Sequence, residues 1–188
     1  MENRILEISK KHGLSHIGSC LSVLPILKEI YEEKGANDFV LMSNAHSHLA
    51  HLVVMEYNKE VDNIEGLLKD YGIHCDIRAG CDASGGSLGH AIGIGIGLAI
   101  ANPSHNIYCV ISDGSFHEGS EMEALRIANQ LSLTNLKIYA NFNGYSAVAK
   151  LDLDYLERII KGLGFPVKVY RTSNGVGFDG VSGHYVTL

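Results

Sequence analysis

The stretches SDGSFHEG (residues 112–119) and NFNG (residues 141–144) decide the fold of this chain. Each follows a short apolar run, at residues 107–111 and 136–140, with the length and composition of a buried strand. A helical pattern over residues 119–131 separates the two runs. Strands that alternate with helices form a parallel sheet covered on both faces. The sequence therefore predicts a three-layer α/β fold with a mainly parallel sheet flanked by helices.

Each of the two turns carries an oxygen ligand beside a glycine. Asp113 precedes Gly114, and Asn143, which follows Asp113 by 30 positions, precedes Gly144. Glycine lets the backbone approach a ligand closely, and Mg²⁺ keeps few protein ligands while phosphate oxygens complete its coordination. The two turns therefore predict a site for Mg²⁺ and a diphosphate, although both dipeptides also occur in ordinary turns.

Further elements are predicted around these two turns. A second amphipathic helix is expected at Leu21–Glu33, which begins near Leu24 or is kinked by Pro25. Glycine in a helix costs stability, so the glycines of Ala91–Ala101 are expected to face a close neighbour. The other predicted elements are helices at residues 2–12, 49–57, 64–71, 91–101 and 154–162 and strands at 39–42 and 167–171.

Composition limits the possible partners. The chain has 188 residues, is 46% hydrophobic and carries a formal net charge of −6 at pH 7. This charge argues against a nucleic-acid partner, and the longest apolar stretch, residues 91–101, is too short to span a membrane. The charged N-terminal segment lacks a signal peptide, so we expect a cytoplasmic protein. Residues 1–188 are expected to form a single domain.

Histidines and cysteines do not form a recognisable zinc motif in the sequence. His46, His48 and His51 follow the spacing His-x-His-x-x-His. Zinc needs about three or four converging ligands, and no following aspartate or cysteine completes this run, so a zinc site is not favoured. The four cysteines show no CxxC spacing and are expected to be free thiols: Cys20, Cys75, Cys81 and Cys109.

Four further blocks stand in a fixed order with the two turns. They are HIGSCLS (residues 16–22), FVLMSNAH (39–46), GGSLG (85–89) and EGSEMEA (118–124). The Asp-Gly and Asn pair resembles the thiamine diphosphate motif of thiamine-dependent enzymes. Together with the blocks, it resembles the N-terminal, diphosphate-binding half of transketolases from about Ile5 to the C-terminus. Two departures are Ser112, where the family usually has glycine, and Asn141, where it often has aspartate.

The resemblance implies a cofactor and its binding residues. The cofactor would be thiamine diphosphate with Mg²⁺ or Ca²⁺, and the metal ligands would be Asp113, Asn143 and the carbonyl of Tyr145. Glu118 matches a glutamate that helps bind the partner's catalytic glutamate across an interface, and a helix N-terminal glutamate is the alternative. The remaining cofactor-binding residues implied are His46, Gly86, Ser87, Leu88, Gly114, Ser115 and His184.

The resemblance also gives four histidines catalytic roles. His46 matches a histidine that contacts the cofactor phosphate and substrate, and His16 matches one beside the reacting carbons. His184 matches a histidine that contacts phosphate and substrate near the end of the family domain. His74 fits less well, because the family has proline after this histidine and a longer interval to the Gly-Ser-Leu-Gly loop.

The implied function is that of one subunit of a split enzyme. Transketolases form the reactive cofactor with a glutamate on a pyrimidine-binding domain, and the matching segment here lacks that domain. We expect an N-terminal subunit that transfers a two-carbon ketol unit from a ketose to an aldehyde or ketone, with sugars or sugar phosphates as substrates. It would be active only with a pyrimidine-binding, C-terminal subunit that supplies the glutamate, in an α₂β₂ heterotetramer.

The chain differs from the matching half of a full-length transketolase in one segment. The chain is shortened before the closing segment TSNGVG (residues 172–177), where the family has an insertion. A half-pocket that includes Leu88, Phe116 and residues 85–97 is expected to be exposed for the partner. The alternatives are a split thiamine diphosphate-dependent 2-oxo acid decarboxylase, a deoxyxylulose phosphate synthase fragment and a non-catalytic regulatory module.

Overall fold

The computed structural model describes residues 1–188 and contains one four-stranded sheet in the order β1-β2-β3-β4. All strand pairs are parallel, so the predicted α/β fold is confirmed. The strands are β1 (Phe39–Met42), β2 (Ile107–Ser112), β3 (Leu136–Phe142) and β4 (Val167–Arg171). The helices are α1 (Glu2–His12), α2 (Ile17–Glu33), α3 (His48–Tyr57), α4 (Ile64–Tyr71), α5 (Ala91–Ala101), α6 (Gly119–Gln130) and α7 (Leu153–Leu163).

Helices cover both faces of the sheet, which confirms the three-layer prediction. Alternate strand residues point to opposite faces. Val40 and Val110 therefore join a core with α1 to α4, whereas Leu41 and Ile111 join a second core with α5 to α7. In this arrangement the carboxyl ends of all four strands lie at one edge of the sheet.

Helix α2 begins at Ile17, earlier than the expected start at Leu21 or Leu24. Pro25 lies inside the helix on an exposed position. The first turn is buried, and a Cβ on Gly18 would lie 2.8 Å from the Cβ of Asn174. The packing of this buried first turn compensates for the backbone hydrogen bond that α2 loses at Pro25.

Only one of the three glycines of α5 packs closely. A Cβ on Gly95 would lie 2.5 Å from Sγ of Cys109 in β2, and Gly95 is buried. Gly93 and Gly97 are exposed and have nothing within 4 Å of a built Cβ. The expectation that these glycines face a close neighbour is therefore correct for Gly95 and wrong for Gly93 and Gly97, because helix rotation points just one of these positions at the sheet.

Candidate active site

A cavity of about 110 Å³ lies where the carboxyl ends of β1, β2 and β3 meet the start of α2. It collects polar side chains from segments that are far apart in sequence. Its lining includes eight of the candidate cofactor-binding, metal-binding and catalytic residues: His16, His46, Leu88, Asp113, Gly114, Asn143, Tyr145 and His184. The other lining residues are Ser19, Asn44, Ser112, Asn141, Ser146 and Ala147.

Asp113 is held in the turn directly after β2 and is 1% exposed. Its Oδ1 accepts a hydrogen bond of 2.9 Å from the Gly114 amide, and its Oδ2 accepts one of 2.6 Å from the Gly144 amide. Burial raises the pKa of the carboxyl to about 6, and hydrogen bonds from surrounding backbone amides oppose this shift. A cation beside Asp113 would favour its ionised form.

Asn143 and Tyr145 complete a set of hard oxygen donors near Asp113. Oδ1 of Asn143 accepts a hydrogen bond of 3.0 Å from the Tyr145 amide, which fixes the turn after β3. An amide oxygen has a second lone pair that can reach a ligand. Carboxylate, amide and carbonyl oxygens are the donors that Mg²⁺ and Ca²⁺ prefer. The residues present therefore fit a divalent cation bound together with phosphate oxygens.

Three histidines also line this cavity and lie close together. The ring centroids of His16 and His46 lie 4.8 Å apart, and those of His16 and His184 lie 6.3 Å apart. His16 has a left-handed backbone conformation with φ of 61°, and its amide donates to the His184 carbonyl at 3.0 Å. Ser15 Oγ lies 2.9 Å from Nδ1 of His16, so Nε2 of His16 is free to meet a ligand.

The electrostatic environment keeps these imidazoles neutral near pH 7. Burial lowers the pKa of His46 to about 3. Burial also lowers the pKa of His16, with further contributions from His184 and His74, and lowers that of His184. Neutral imidazole can both donate and accept hydrogen bonds. Nδ1 of His184 is buried without a partner in the chain, so it offers one such group to a bound molecule.

His74, Gly86 and Ser87 do not line the cavity. His74 is exposed, although it lies near enough to His16 and His46 to contribute to lowering their pKa values. A Cβ on Gly86 would lie 3.9 Å from the His74 ring. Ser87 lines a separate small cleft. His74 and the neighbouring Gly86 therefore lie at the rim of the site, and Ser87 lies outside it.

Ser115 and Glu118 also lie outside the cavity lining. Ser115 is buried, and its Oγ donates to the Ser112 carbonyl at 3.0 Å and accepts from the Ser112 amide at 2.9 Å. This side chain therefore shapes the turn after β2. Glu118 is exposed at the start of α6. The expectation that Phe116 is exposed is wrong, because Phe116 is fully buried in the core between the sheet and α5 to α7.

Two asparagines at the strand ends take part in the site beyond what the sequence indicated. Oδ1 of Asn44, in the turn after β1, is buried and has no hydrogen-bond partner. Asn141 lines the cavity, donates to Ser22 Oγ at 3.0 Å and accepts from Thr172 Oγ1 at 2.6 Å. Asn44 could have been identified from its place just after β1, because the candidate ligands Asp113 and Asn143 likewise come just after β2 and β3.

Glu121 is the most deeply buried carboxyl group that the sequence did not single out. It is 0% exposed, and it accepts a hydrogen bond from Ser43 Oγ. Ser43 Oγ in turn accepts one of 3.0 Å from the Gly89 amide. Burial raises the pKa of Glu121 to about 7, and nearby Glu118 adds to this rise. Glu121 thus links α6 and the end of β1 to the glycine-rich loop at residues 85–89.

Known proteins resemble the chain in sequence, although no protein-family model matches it. It is 29% identical over 153 residues to one of the subunits of an apulose-4-phosphate transketolase from Phocaeicola vulgatus, covering 71% of this chain and 54% of that protein. It is 39% identical over 155 residues to a putative transketolase family protein of Sinorhizobium fredii, covering 70% of this chain and 54% of that protein. None of the helices of the chain has both the length and the apolar character needed to cross a membrane.

Solved structures share the fold. A transketolase from Leishmania mexicana superposes with a TM-score of 0.73 at 20% identity, covering 91% of this chain and 34% of that one. The chain thus spans about half the length of the curated relatives it matches and a third of this solved chain. Sequence relatives and fold agree: the chain is similar to transketolases in sequence over about 70% of its length and shares their fold.

Proposed function

We propose that this chain is the diphosphate-binding subunit of a two-chain, thiamine diphosphate-dependent transketolase. The observation that carries the proposal is that Asp113 and Asn143 line the same cavity as three histidines: His16, His46 and His184. Oxygen ligands for a metal diphosphate and neutral imidazoles for sugar hydroxyls are the two sets of groups that such a reaction needs.

Cofactor binding is assigned to the turns after β2 and β3. Asp113, Asn143 and the carbonyl of Tyr145 would hold Mg²⁺ or Ca²⁺, and Gly114 leaves room for a diphosphate oxygen. Leu88 at the cavity wall would contact the ring of the cofactor. When bound, thiamine diphosphate supplies the carbon nucleophile that accepts the two-carbon unit. The set of oxygen donors that lines the cavity supports this assignment.

Substrate binding is assigned to the three histidines. Each imidazole is neutral at pH 7 because burial lowers its pKa. Nε2 of His16 would hydrogen-bond a hydroxyl group next to the reacting carbon, and His46 would contact hydroxyl and phosphate oxygens. His184 would hold a second hydroxyl through its free Nδ1. His74, at the rim, would contact the far end of a longer sugar.

A partner chain is part of the proposal because the cavity lacks a second carboxylate. Asp113 is the one acidic residue in the lining, and its oxygens are assigned to the metal. A glutamate that activates the cofactor would therefore come from a pyrimidine-binding, C-terminal subunit, whose interface would include exposed Glu118. The Phocaeicola relative is named as one subunit of a transketolase, which supports this division. We propose an α₂β₂ heterotetramer, with residues 1–188 as one diphosphate-binding domain shortened near its C-terminus, acting in the cytoplasm.

The experiment measures binding and transfer in the assembled complex. Calorimetry of thiamine diphosphate with Mg²⁺ is expected to show binding that EDTA abolishes and that Asp113→Asn eliminates. Asp70→Asn, at an exposed position of α4, is the matched control and is expected to bind normally. Ketol transfer from a ketose phosphate should require both chains. Equal affinity with and without EDTA, or transfer by this chain alone, would refute the proposal.

A further inference from the structure

A buried group of histidine and cysteine side chains lies between α3 and the loop after α4, outside the cavity described above. His51 of α3, Cys75 and Cys81 place one ligand atom each within 4.8 Å of the others. They are 2%, 5% and 6% exposed, respectively. We propose that these side chains, with His48, bind a Zn²⁺ ion that holds this loop against α3.

His48 supplies the fourth ligand. It is 0% exposed, and neither of its ring nitrogens has a hydrogen-bond partner. The Cys81 thiol nevertheless interacts with the side chains of Cys75, His48 and His51. A buried imidazole with two unsatisfied nitrogens is unfavourable unless a ligand occupies one of them. A metal ion next to Cys81 removes this cost.

His51 is already oriented for a metal. Its Nδ1 lies 3.9 Å from Sγ of Cys81, and its Nε2 lies 2.8 Å from Oη of Tyr31 in α2. Metal-binding histidines characteristically donate their second ring N–H to a neighbouring oxygen, which fixes the tautomer and the ring plane. Tyr31 occupies that position here, so Nδ1 of His51 is the nitrogen directed at the ion.

The ligand types select zinc and a structural role. Two thiolates and two imidazoles in a tetrahedral arrangement are typical of Zn²⁺. Ligand atoms of such a site lie about 3.3–3.8 Å apart when the metal–ligand bonds have their usual lengths. Sγ of Cys81 and Nδ1 of His51 lie 3.9 Å apart, close to this range, and the ligand atoms of His51, Cys75 and Cys81 all lie within 4.8 Å of one another. Binding therefore requires these three atoms to move together by up to about 1 Å. Four protein ligands leave no open coordination position for a substrate.

The loop that zinc would fix has little regular structure. Residues 72–90 contain one short 3₁₀ helix, Ile77–Ala79. Cys75 is joined to neighbouring segments by two backbone hydrogen bonds, from its amide to Ala45 at 3.3 Å and from Gly85 to its carbonyl at 2.9 Å. A metal bond at Cys75 and Cys81 would tie both sides of the short helix to α3. This revises the sequence interpretation, in which no cysteine partner for the histidine run could be identified.

The full chain, purified in reducing buffer with zinc in the growth medium, tests the proposal by elemental analysis. We expect about one zinc ion per chain. Cys75→Ser and Cys81→Ser should lose the ion, and Cys109→Ala, which removes a buried thiol in β2, should retain it. Asp113→Asn should also retain the ion, which separates this site from the proposed cofactor site. Tyr31→Phe should weaken zinc binding by about 10- to 100-fold without changing its stoichiometry.

Cobalt substitution of the unmodified chain gives a measurement that does not depend on the folding of any variant. Tetrahedral Co²⁺ with two thiolates should produce a strong near-ultraviolet sulfur-to-metal band and intense visible absorption. Absence of both bands and of bound zinc at excess metal would overturn the proposal. A disulfide between Cys75 and Cys81 in the reduced preparation, or loss of zinc in Cys109→Ala, would overturn it as well. None of these results depends on transketolase activity.

Discussion

The carboxylate of Asp113 accepts a hydrogen bond of 2.6 Å from the backbone amide of Gly144, and this bond joins the turn after β2 to the turn after β3. The two turns follow neighbouring parallel strands, β2 and β3, whose last paired residues are Ser112 and Asn141. Asp113 therefore has two functions in the structure. It aligns the two turns, and it presents buried oxygens to the cavity.

Replacing Asp113 by alanine should remove both functions. We expect Asp113→Ala to lose Mg²⁺-dependent retention of thiamine diphosphate in the assembled complex. It should also lower the free energy of unfolding by about 1–3 kcal/mol, because the amides of Gly114 and Gly144 lose their acceptor. Asn143→Ala should weaken cofactor binding with a smaller loss of stability, since it frees only the Tyr145 amide. Calorimetry and urea unfolding measure the two effects separately, and normal cofactor retention by Asp113→Ala contradicts the assignment.

His16 should affect the reaction more than the fold. We expect His16→Asn and His16→Ala to lower turnover of the complex by at least about tenfold, because a lost hydrogen-bond donor in a dry site costs about 2–4 kcal/mol at the transition state. His16→Asn should melt at the higher temperature of the two, since asparagine tolerates the left-handed conformation of this position. His105→Ala, before β2 at the other end of the sheet, is the control. If both variants unfold, and the fraction that remains folded turns over normally, then His16 has a structural role and not a catalytic one.

Glu121 should make stability depend on pH. Its pKa is about 7 in the folded chain against an ordinary value of 4.5, so between these values the unfolded chain is ionised while the folded chain is protonated. The contribution of Glu121 to the free energy of unfolding is therefore fully present below pH 4.5 and is lost as the pH rises to about 7. The loss is on the order of 3 kcal/mol. Glu121→Gln should flatten this part of the profile in urea unfolding.

The control for Glu121 is Glu123→Gln, two positions along the same helix. Glu123 is exposed and pairs with Arg126 at 3.3 Å, so its replacement should leave the slope between the two pH values unchanged. An identical slope in Glu121→Gln and the unmodified chain would mean that Glu121 is ionised in the folded state.

The α5 glycines should respond to alanine in opposite directions. Gly95→Ala should destabilise the chain by about 1–3 kcal/mol, because a new methyl group would meet Cys109 in a packed core. Gly93→Ala should stabilise it by about 0.5–1 kcal/mol, since alanine restricts the unfolded chain and this exposed position has room. Denaturant unfolding of both variants measures this, and a stabilising Gly95→Ala would contradict the packing.

The sequence by itself determined most of the helices and strands, and it predicted the residues of the two turns that line the cavity. Apolar runs followed by Asp113-Gly114 and Asn143-Gly144 carry the strand and turn signals within a few residues, so they can be read locally. For the same reason the bounds of α4 and α5 agree with the structure. Spacing along the chain was sufficient wherever neighbouring residues set the conformation.

Tertiary structure alone decided the contacts between distant segments. Ser43 meets Glu121 78 positions away, and His51 meets Cys81 30 positions away. No local pattern encodes such a pair, because it depends on how helices pack on the sheet and on which side of a helix faces inward. Burial in turn determines the protonation state of buried titratable side chains. It raises the pKa of Glu121 and lowers that of His46, and these desolvation effects exist only once the chain is folded.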